Sequence, residues 1–275
     1  MRIEDYPPQE PLSPVAQEYA AEVARRGAGV AAEDHSYGPD PYQSLALVIP
    51  KKPNGDVLAM VHGGGWTSGY KEHLLFMAPA YTAAGIIFAT IGYRLAPRHL
   101  FPDGVNDVAA GLGWLHQHAA EYGGNPRRIF AGGHSAGGHY TALLAVKRDW
   151  QEGFGLPKDV IRGCLPISGV YDFRPGSGLS ARPRFLGPES SGNDEAASPI
   201  VNIQNTPPPF LIAHGTDDFP HLSHQAELME HALKESGCDV ERIVFPGRNH
   251  FSACYAAGES DGPWAPHALE WIRRH

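Results

Sequence analysis

Ala131-Gly132-Gly133-His134-Ser135-Ala136-Gly137-Gly138-His139 is the stretch whose reading decides the fold. The apolar run Ile129-Phe130-Ala131 precedes it, and the helix-like run Tyr140-Thr141-Ala142-Leu143-Leu144-Ala145-Val146 follows. Gly133-x-Ser135-x-Gly137 between a strand and a helix is the pattern of a sharp, strained turn that presents a serine hydroxyl at the top of a sheet. Small residues on both sides let strand and helix approach without collision. In a chain with 32 glycines the same pattern also fits an ordinary glycine-rich turn, so the flanking segments must decide.

Upstream, Asn125-Pro126 turns the chain into the serine-bearing strand. Before it, Val105, Val108, Ala109, Leu112, Leu115 and Ala119 recur at helical spacing, with Asp103 near the start. Ile86–Ile91 is a buried strand ending in Tyr93-Arg94-Leu95-Ala96-Pro97, and a helix-like region near residues 72–84 leads into it. Val57–Val61 is apolar throughout, as a strand covered on both faces requires, and runs into His62-Gly63-Gly64-Gly65-Trp66. Leu45–Ile49 is a further strand. The turn Lys51–Asp56, with Asn54-Gly55 at its centre, predicts a hairpin joining these two strands. Residues 1–13, rich in proline and acid, read as an extended surface arm. Ser13-Pro14 caps a short helix in which Val15, Tyr19 and Val23 recur at helical spacing up to Gly27.

Downstream, Cys164–Val170 is a strand bent at Pro166. Residues 174–208 are irregular, as a functional or mobile segment is. Phe210–Ala213 leads to His214-Gly215-Thr216-Asp217-Asp218. Leu222, Ala226, Met229 and Leu233 mark another helix. Val240–Phe245 is the last strand, followed by Pro246-Gly247-Arg248-Asn249-His250-Phe251, and a short helix spans Pro266–Arg274. Strands alternating with helices predict an α/β fold with a mostly parallel sheet covered on both faces. Residues 1–275 read as one such domain, with 1–30 and 174–208 as a small cap.

Composition narrows the function. Apolar content of 42% and charged content of 19% are those of an ordinary globular domain. Net charge is −8, with no basic run to track phosphates, so nucleic acid is not an expected partner. No stretch reaches the length of a membrane span, and the start lacks the apolar core of a signal peptide. Cys164, Cys238 and Cys254 are widely spaced and odd in number, which points to a reducing, cytoplasmic setting.

Four strand ends carry glycine-rich or polar groups: His62–Gly65, Ser135, Asp217/Asp218 and His250. In a parallel sheet these ends share one edge, where open α/β sheets place their sites. A serine hydroxyl needs an imidazole to accept its proton during attack, and the imidazole needs a carboxylate to fix its tautomer. The tetrahedral oxyanion needs N–H donors, each worth roughly 3–4 kcal/mol. Gly64 and Gly65 can supply two, and Ala136 a third from the start of the following helix. Serine, acid and histidine in that order predict a serine hydrolase, with either aspartate as the acid.

His62-Gly63-Gly64-Gly65-Trp66, Tyr93-Arg94-Leu95-Ala96-Pro97 and Gly133-His134-Ser135-Ala136-Gly137-Gly138 resemble the α/β-hydrolase esterases that carry His-Gly-Gly-Gly, similar to hormone-sensitive lipase. A second resemblance, to kynurenine formamidase (arylformamidase), is carried by Tyr37-Gly38, Ser68-Gly69-Tyr70-Lys71-Glu72, Ser168-Gly169-Val170-Tyr171-Asp172 and His250-Phe251. Together these segments span most of residues 37–251. The His-Gly-x-x-Asp pattern of the esterases, laid on His214–Asp218, implies Asp218 as the acid and leaves Asp217 as a loop residue.

The expectation is a cofactor-free carboxylesterase acting on small esters through an acyl-enzyme on Ser135, with His250 as base and Asp218 as its orienting acid. The alternative is an arylformamidase acting on N-formyl-kynurenine-like amides. A non-catalytic binding protein on the same fold would be expected to lack one of the three residues. Trp66, Tyr93 and His134 are candidate substrate-pocket residues, with His139 beside the elbow. His62 reads as a prop for the glycine loop. His221 and His224 lie one helical turn apart without a third ligand, so no metal is expected. Self-association as a homodimer is left open.

Overall fold

The apolar runs pair into one eight-stranded sheet in the order β1-β2-β4-β3-β5-β6-β7-β8. The strands are β1 (Glu33–Ser36), β2 (Ser44–Val48), β3 (Val57–Val61), β4 (Ile87–Ile91), β5 (Ile129–His134), β6 (Gly163–Ile167), β7 (Phe210–Asp217) and β8 (Val240–Asn249). The computed structural model describes residues 2–275. β3 to β8 run parallel, while β2 is antiparallel to both β1 and β4. The helices are α1 (Pro14–Arg26), α2 (Ala78–Thr82), α3 (Asp103–His118), α4 (Ala136–Val146), α5 (Asn193–Ala197), α6 (Pro220–Glu235), α7 (His250–Ala256) and α8 (Ala265–Arg274).

The period of two along each strand divides the core. Val57, Ala59 and Val61 of β3 and Ile87, Ala89 and Ile91 of β4 face one layer, which they share with Val108 and Leu112 of α3 and Met229 of α6. Leu58 and Met60 with Phe88 and Phe130 face the other, against Val23 of α1, Tyr81 of α2 and Trp271 of α8. Strands buried on both faces have no polar side, and this is why they read as unbroken apolar runs. All eleven residues of α4 are buried, so this helix is covered all round.

The expected hairpin is not formed. β4 lies between β2 and β3, and the Asn54-Gly55 turn is held elsewhere. Asn54 N–H donates to the Gly85 carbonyl at 2.8 Å, and Asn125 N–H to the Gly55 carbonyl at 2.7 Å. The turn thus docks on the connections that precede β4 and β5. Pro166 sits inside β6, where it lacks an N–H, and the β6–β7 register pairs only Cys164 with Phe210 and Ile167 with Ala213. Residues 174–208 hold α5 and two short 3-10 turns (Glu189–Ser191 and Pro199–Val201) among irregular chain.

Candidate active site

The carboxyl ends of β3, β5, β7 and β8 bring the four sequence segments together. Ser135 follows β5 with φ 54° and ψ −116°, a strained turn for a residue with a Cβ. Its N–H donates to the Ile167 carbonyl at 3.0 Å, which fixes the turn on the neighbouring strand. The flanking glycines are required by close main-chain approach. A Cβ at Gly137 would strike the carbonyls of Val61 and His62, and one at Gly133 would strike Gly137.

His250 is the first residue of α7, whose N-terminus is capped by the Asn249 side chain accepting from the N–H groups of Phe251 and Ser252. Its Nε2 lies 3.0 Å from Ser135 Oγ, and its Nδ1–H donates to Asp218 Oδ1 at 2.8 Å. Asp218 is buried, and it also accepts from Phe219 N–H at 2.7 Å and from Ser168 Oγ–H at 2.5 Å. Burial would push its carboxyl up, yet the bond and charge of His250, with the Ser168 and Phe219 bonds, outweigh that and hold it at about 2. Asp217 is exposed, and among the described residues its carboxylate accepts only from its neighbour Thr216. The geometry therefore separates the two aspartates that the residues alone leave open.

The glycine loop bends beside Ser135. Gly64 and Gly65 have φ of 117° and 58°, are exposed, and their N–H groups donate to nothing in the described chain. A Cβ at Gly64 would collide with the Ser68 carbonyl, so only glycine permits this path. His62 props the loop, donating from Nδ1 to the Gly63 carbonyl at 2.7 Å and stacking on Tyr93 at 4.3 Å. Ala136 N–H lies at the first position of α4, where helical geometry supplies no intrahelical acceptor.

Ser135, Gly64, Gly65 and His250 open on a cavity of about 370 Å³. Of the three candidate pocket residues only His134 lines it. Its Nε2–H donates to the His250 carbonyl at 2.8 Å, and its ring lies 4.7 Å from that of His250. Trp66 and Tyr93 are buried elsewhere. A positive φ of 64° turns Trp66 under Phe185, on which it stacks at 4.3 Å while donating to His139 Nδ1. Tyr93 lies fully buried beneath His62.

Much of the outer wall comes from the two segments read as a cap, 1–30 and 174–208, although the sequence singles out none of their individual residues for the site. Pro11, Leu12, Ala16 and Tyr19 of the N-terminal region, Arg184 of the 174–208 segment, His73, Phe219 and Phe251 all line the cavity. Gln9 pairs with both the carbonyl and the N–H of Gly69, at 2.7 and 2.8 Å, tying the arm to the glycine loop. Glu10 pairs with Arg184 across the mouth. The residues alone do not name Ser168 as a partner of Asp218; the structure ends the strand at Ile167 and sets Ser168 just after it, against the carboxylate. Among the described residues there is no group of three or more His, Cys, Asp or Glu side chains able to hold a metal, and no helix long and apolar enough to cross a membrane.

Residues 45–233 match the BD-FAE family model. The chain belongs to the BD-FAE family. It is 31% identical over 236 residues to a probable isoprenylcysteine α-carbonyl methylesterase, ICMEL1 of Arabidopsis thaliana, covering 78% of this chain and 49% of that one. Esterase LipQ of Mycobacterium tuberculosis is 29% identical, covering 79% of this chain and 56% of that one. The chain thus spans about half the length of these curated relatives. Among solved structures, the propionate-bound Est2 esterase of Thermogutta terrifontis superposes with a TM-score of 0.72 at 26% identity, covering 88% of this chain and 92% of that one. The carboxylesterase EstE1, from a metagenomic library, shares the fold with a TM-score of 0.75 at 22% identity over 96% of each chain. The fold is that of the α/β-hydrolase esterases. The arylformamidase likeness of the four short segments finds no support in these relatives.

Proposed function

We propose that the chain is a serine carboxylesterase that cleaves small carboxylic esters. The observation that carries this reading is the unbroken chain Ser135 Oγ–His250–Asp218, standing beside two undonated glycine N–H groups in one cavity. The named esterases among the relatives support it.

In this reading His250 Nε2 takes the Ser135 hydroxyl proton as Oγ attacks the ester carbonyl carbon. Asp218, held ionised, keeps the Nδ1–H tautomer and stabilises the imidazolium that forms. The oxyanion accepts from Gly64, Gly65 and Ala136 N–H groups, the last aided by the positive end of α4. Collapse breaks the bond to the alcohol oxygen, which leaves with the proton from His250. Water then repeats the sequence on the acyl-enzyme and releases the acid. No step calls on a metal or cofactor. Three buried free thiols accord with the cytoplasm as the site of action, which cell fractionation tests.

A fluorophosphonate should label Ser135, and short p-nitrophenyl esters should turn over in the wild type but not in Ser135→Ala. An N-formyl aryl amide assayed beside them should be the poorer substrate; a strong preference for it would replace the ester reading with the formamidase one. Failure to label would favour a binding protein.

A further inference from the structure

We propose that His73 is a specificity-determining residue whose ring hydrogen-bonds an uncharged oxygen carried by the ester away from its scissile bond. The proposal rests on the esterase reading and names the substrate class: esters bearing a hydroxyl, ether or carbonyl oxygen, preferred over plain alkyl esters.

His73 lies in the cavity wall with only 6% of its surface exposed. Neither ring nitrogen bonds to any group in the described chain. Unlike His62 Nε2 and His134 Nδ1, which are partnerless and sealed, the His73 nitrogens are not closed off, so they face the cavity. The cavity they face has Leu12, Ala16, Ala20 and Phe251 among its lining residues. Burial pushes the imidazole down to about 4, so near neutral pH it offers one N–H donor and one lone pair. A buried polar group without a partner costs stability, and an aliphatic side chain would fill the same wall without that cost. A ligand that pairs with the ring removes the cost at the moment of binding.

The ring is also held in place before any ligand arrives. Its backbone N–H donates to the Tyr70 carbonyl at 3.0 Å in a 3-10 turn. The preceding Lys71 is wholly buried and bound by Asp34, Glu72 and the Tyr6 hydroxyl. Tyr70 and Tyr19 meet the ring edge-on at 5.2 and 6.3 Å. The Tyr19 ring also touches His134, which touches His250. Two rings thus lie between His73 and the general base, so the oxygen it reads belongs to a remote part of the substrate.

The test is a ladder of matched esters. On the acyl side, p-nitrophenyl esters of straight-chain acids are compared with their terminal-methoxy analogues. On the alcohol side, acetates of butanol to hexanol are compared with monoacetates of the corresponding terminal diols. At one chain length, on one side, the oxygen-bearing ester should be favoured about tenfold in kcat/KM. His73→Leu should bring that ratio to within about twofold by lowering kcat/KM for the oxygen-bearing ester, keep fluorophosphonate labelling of Ser135, and melt no lower than the wild type, since the ring makes no hydrogen bond in the described chain. His73→Gln, which keeps a donor and an acceptor, should retain part of the preference. The proposal is overturned if no oxygen-bearing ester is preferred, if the preference survives His73→Leu, or if that variant melts several degrees lower, which would make the ring structural. Loss of all ester turnover and of labelling in the wild type would instead overturn the esterase reading itself.

Discussion

The two walls of the cavity are built in different ways. The wall that carries Ser135 is made by main chain on main chain: Gly137 against the Val61 and His62 carbonyls, Ser135 N–H on Ile167, Gly64 against the Ser68 carbonyl. The opposite wall is held by side chains: Gln9 on Gly69, and Glu10 with Arg184. A geometry fixed by backbone contact has almost no room for exchange, because even a methyl group has nowhere to go. A wall fixed by side chains can be rebuilt one residue at a time. Under the proposed function, the chemistry therefore falls to the first wall and the choice of substrate to the second.

The largest expected effects fall on the first wall. Asp218→Asn should leave the fold intact but impose the wrong tautomer on His250, lowering kcat by about 10⁴-fold. Asp217→Asn, exposed and with no bond to the ring, should stay within about twofold. Steady-state kinetics on one short ester checks both, and the reverse ranking would move the acid to Asp217. Gly64→Ala should be next. Its Cβ would push on the Ser68 carbonyl and displace a neighbouring N–H donor, and removal of one such donor costs about 10²–10³-fold in kcat. A mild Gly64→Ala would mean that the loop yields, and the contrast between the walls would fail.

The same contrast governs what could be read from the residues. Gly133-x-Ser135-x-Gly137 was legible because its glycines answer a backbone constraint that leaves few alternatives. The choice between Asp217 and Asp218 was not fixed by their own order. The β7–β8 register shifts between Gly215 and Asp217, leaving Asp217 exposed and Asp218 buried against His250. Trp66 follows a glycine loop and looked like pocket lining, but its positive φ points the ring into the core. The hairpin at Asn54-Gly55 failed because strand order depends on β4, a segment some thirty residues away whose pairing no local turn encodes. β1, Glu-Asp-His-Ser, has no apolar alternation and exists as a strand because β2 pairs with it. The residues of the outer wall were invisible for a similar reason: Tyr19 and His73 are ordinary packing residues until the fold sets them opposite Ser135.

Acid should act on the scaffold wall first. His62, His134 and His139 are fully buried, and burial pushes each ring down to about 3. Once unfolded, each titrates near 6.5. Between those values the unfolded chain binds protons that the folded chain refuses, so stability falls as pH drops below about 6.5. The slope is about 1.4 kcal/mol per pH unit for each histidine. Asp218 works in a lower window: its stabilisation is present above about 4 and is lost only as pH falls toward 2. Denaturant unfolding at pH 7.5 and pH 5 should therefore show a loss of several kcal/mol, and an unchanged midpoint would mean that these rings are not held neutral.

The smallest effect is expected where the second wall is most exposed. Arg184 has 61% of its side chain in solvent and pairs with Glu10 at the cavity mouth. An exposed pair of this kind contributes at most about 1 kcal/mol, so Arg184→Ala should leave the melting temperature nearly unchanged. It should also leave kcat on a short ester unchanged, because no atom of Arg184 bonds to Ser135, His250 or Asp218. What it removes is a positive charge beside the entrance, leaving Glu10 unopposed. An ester whose acid or alcohol part ends in a carboxylate should then be repelled, raising KM several-fold in low salt, with the difference shrinking as salt screens the charge. The neutral ester should show no such salt dependence. Equal behaviour of the two esters in Arg184→Ala would place both charges outside the path of substrate, and the outer wall's influence on choice would then rest on the residues deeper in the cavity.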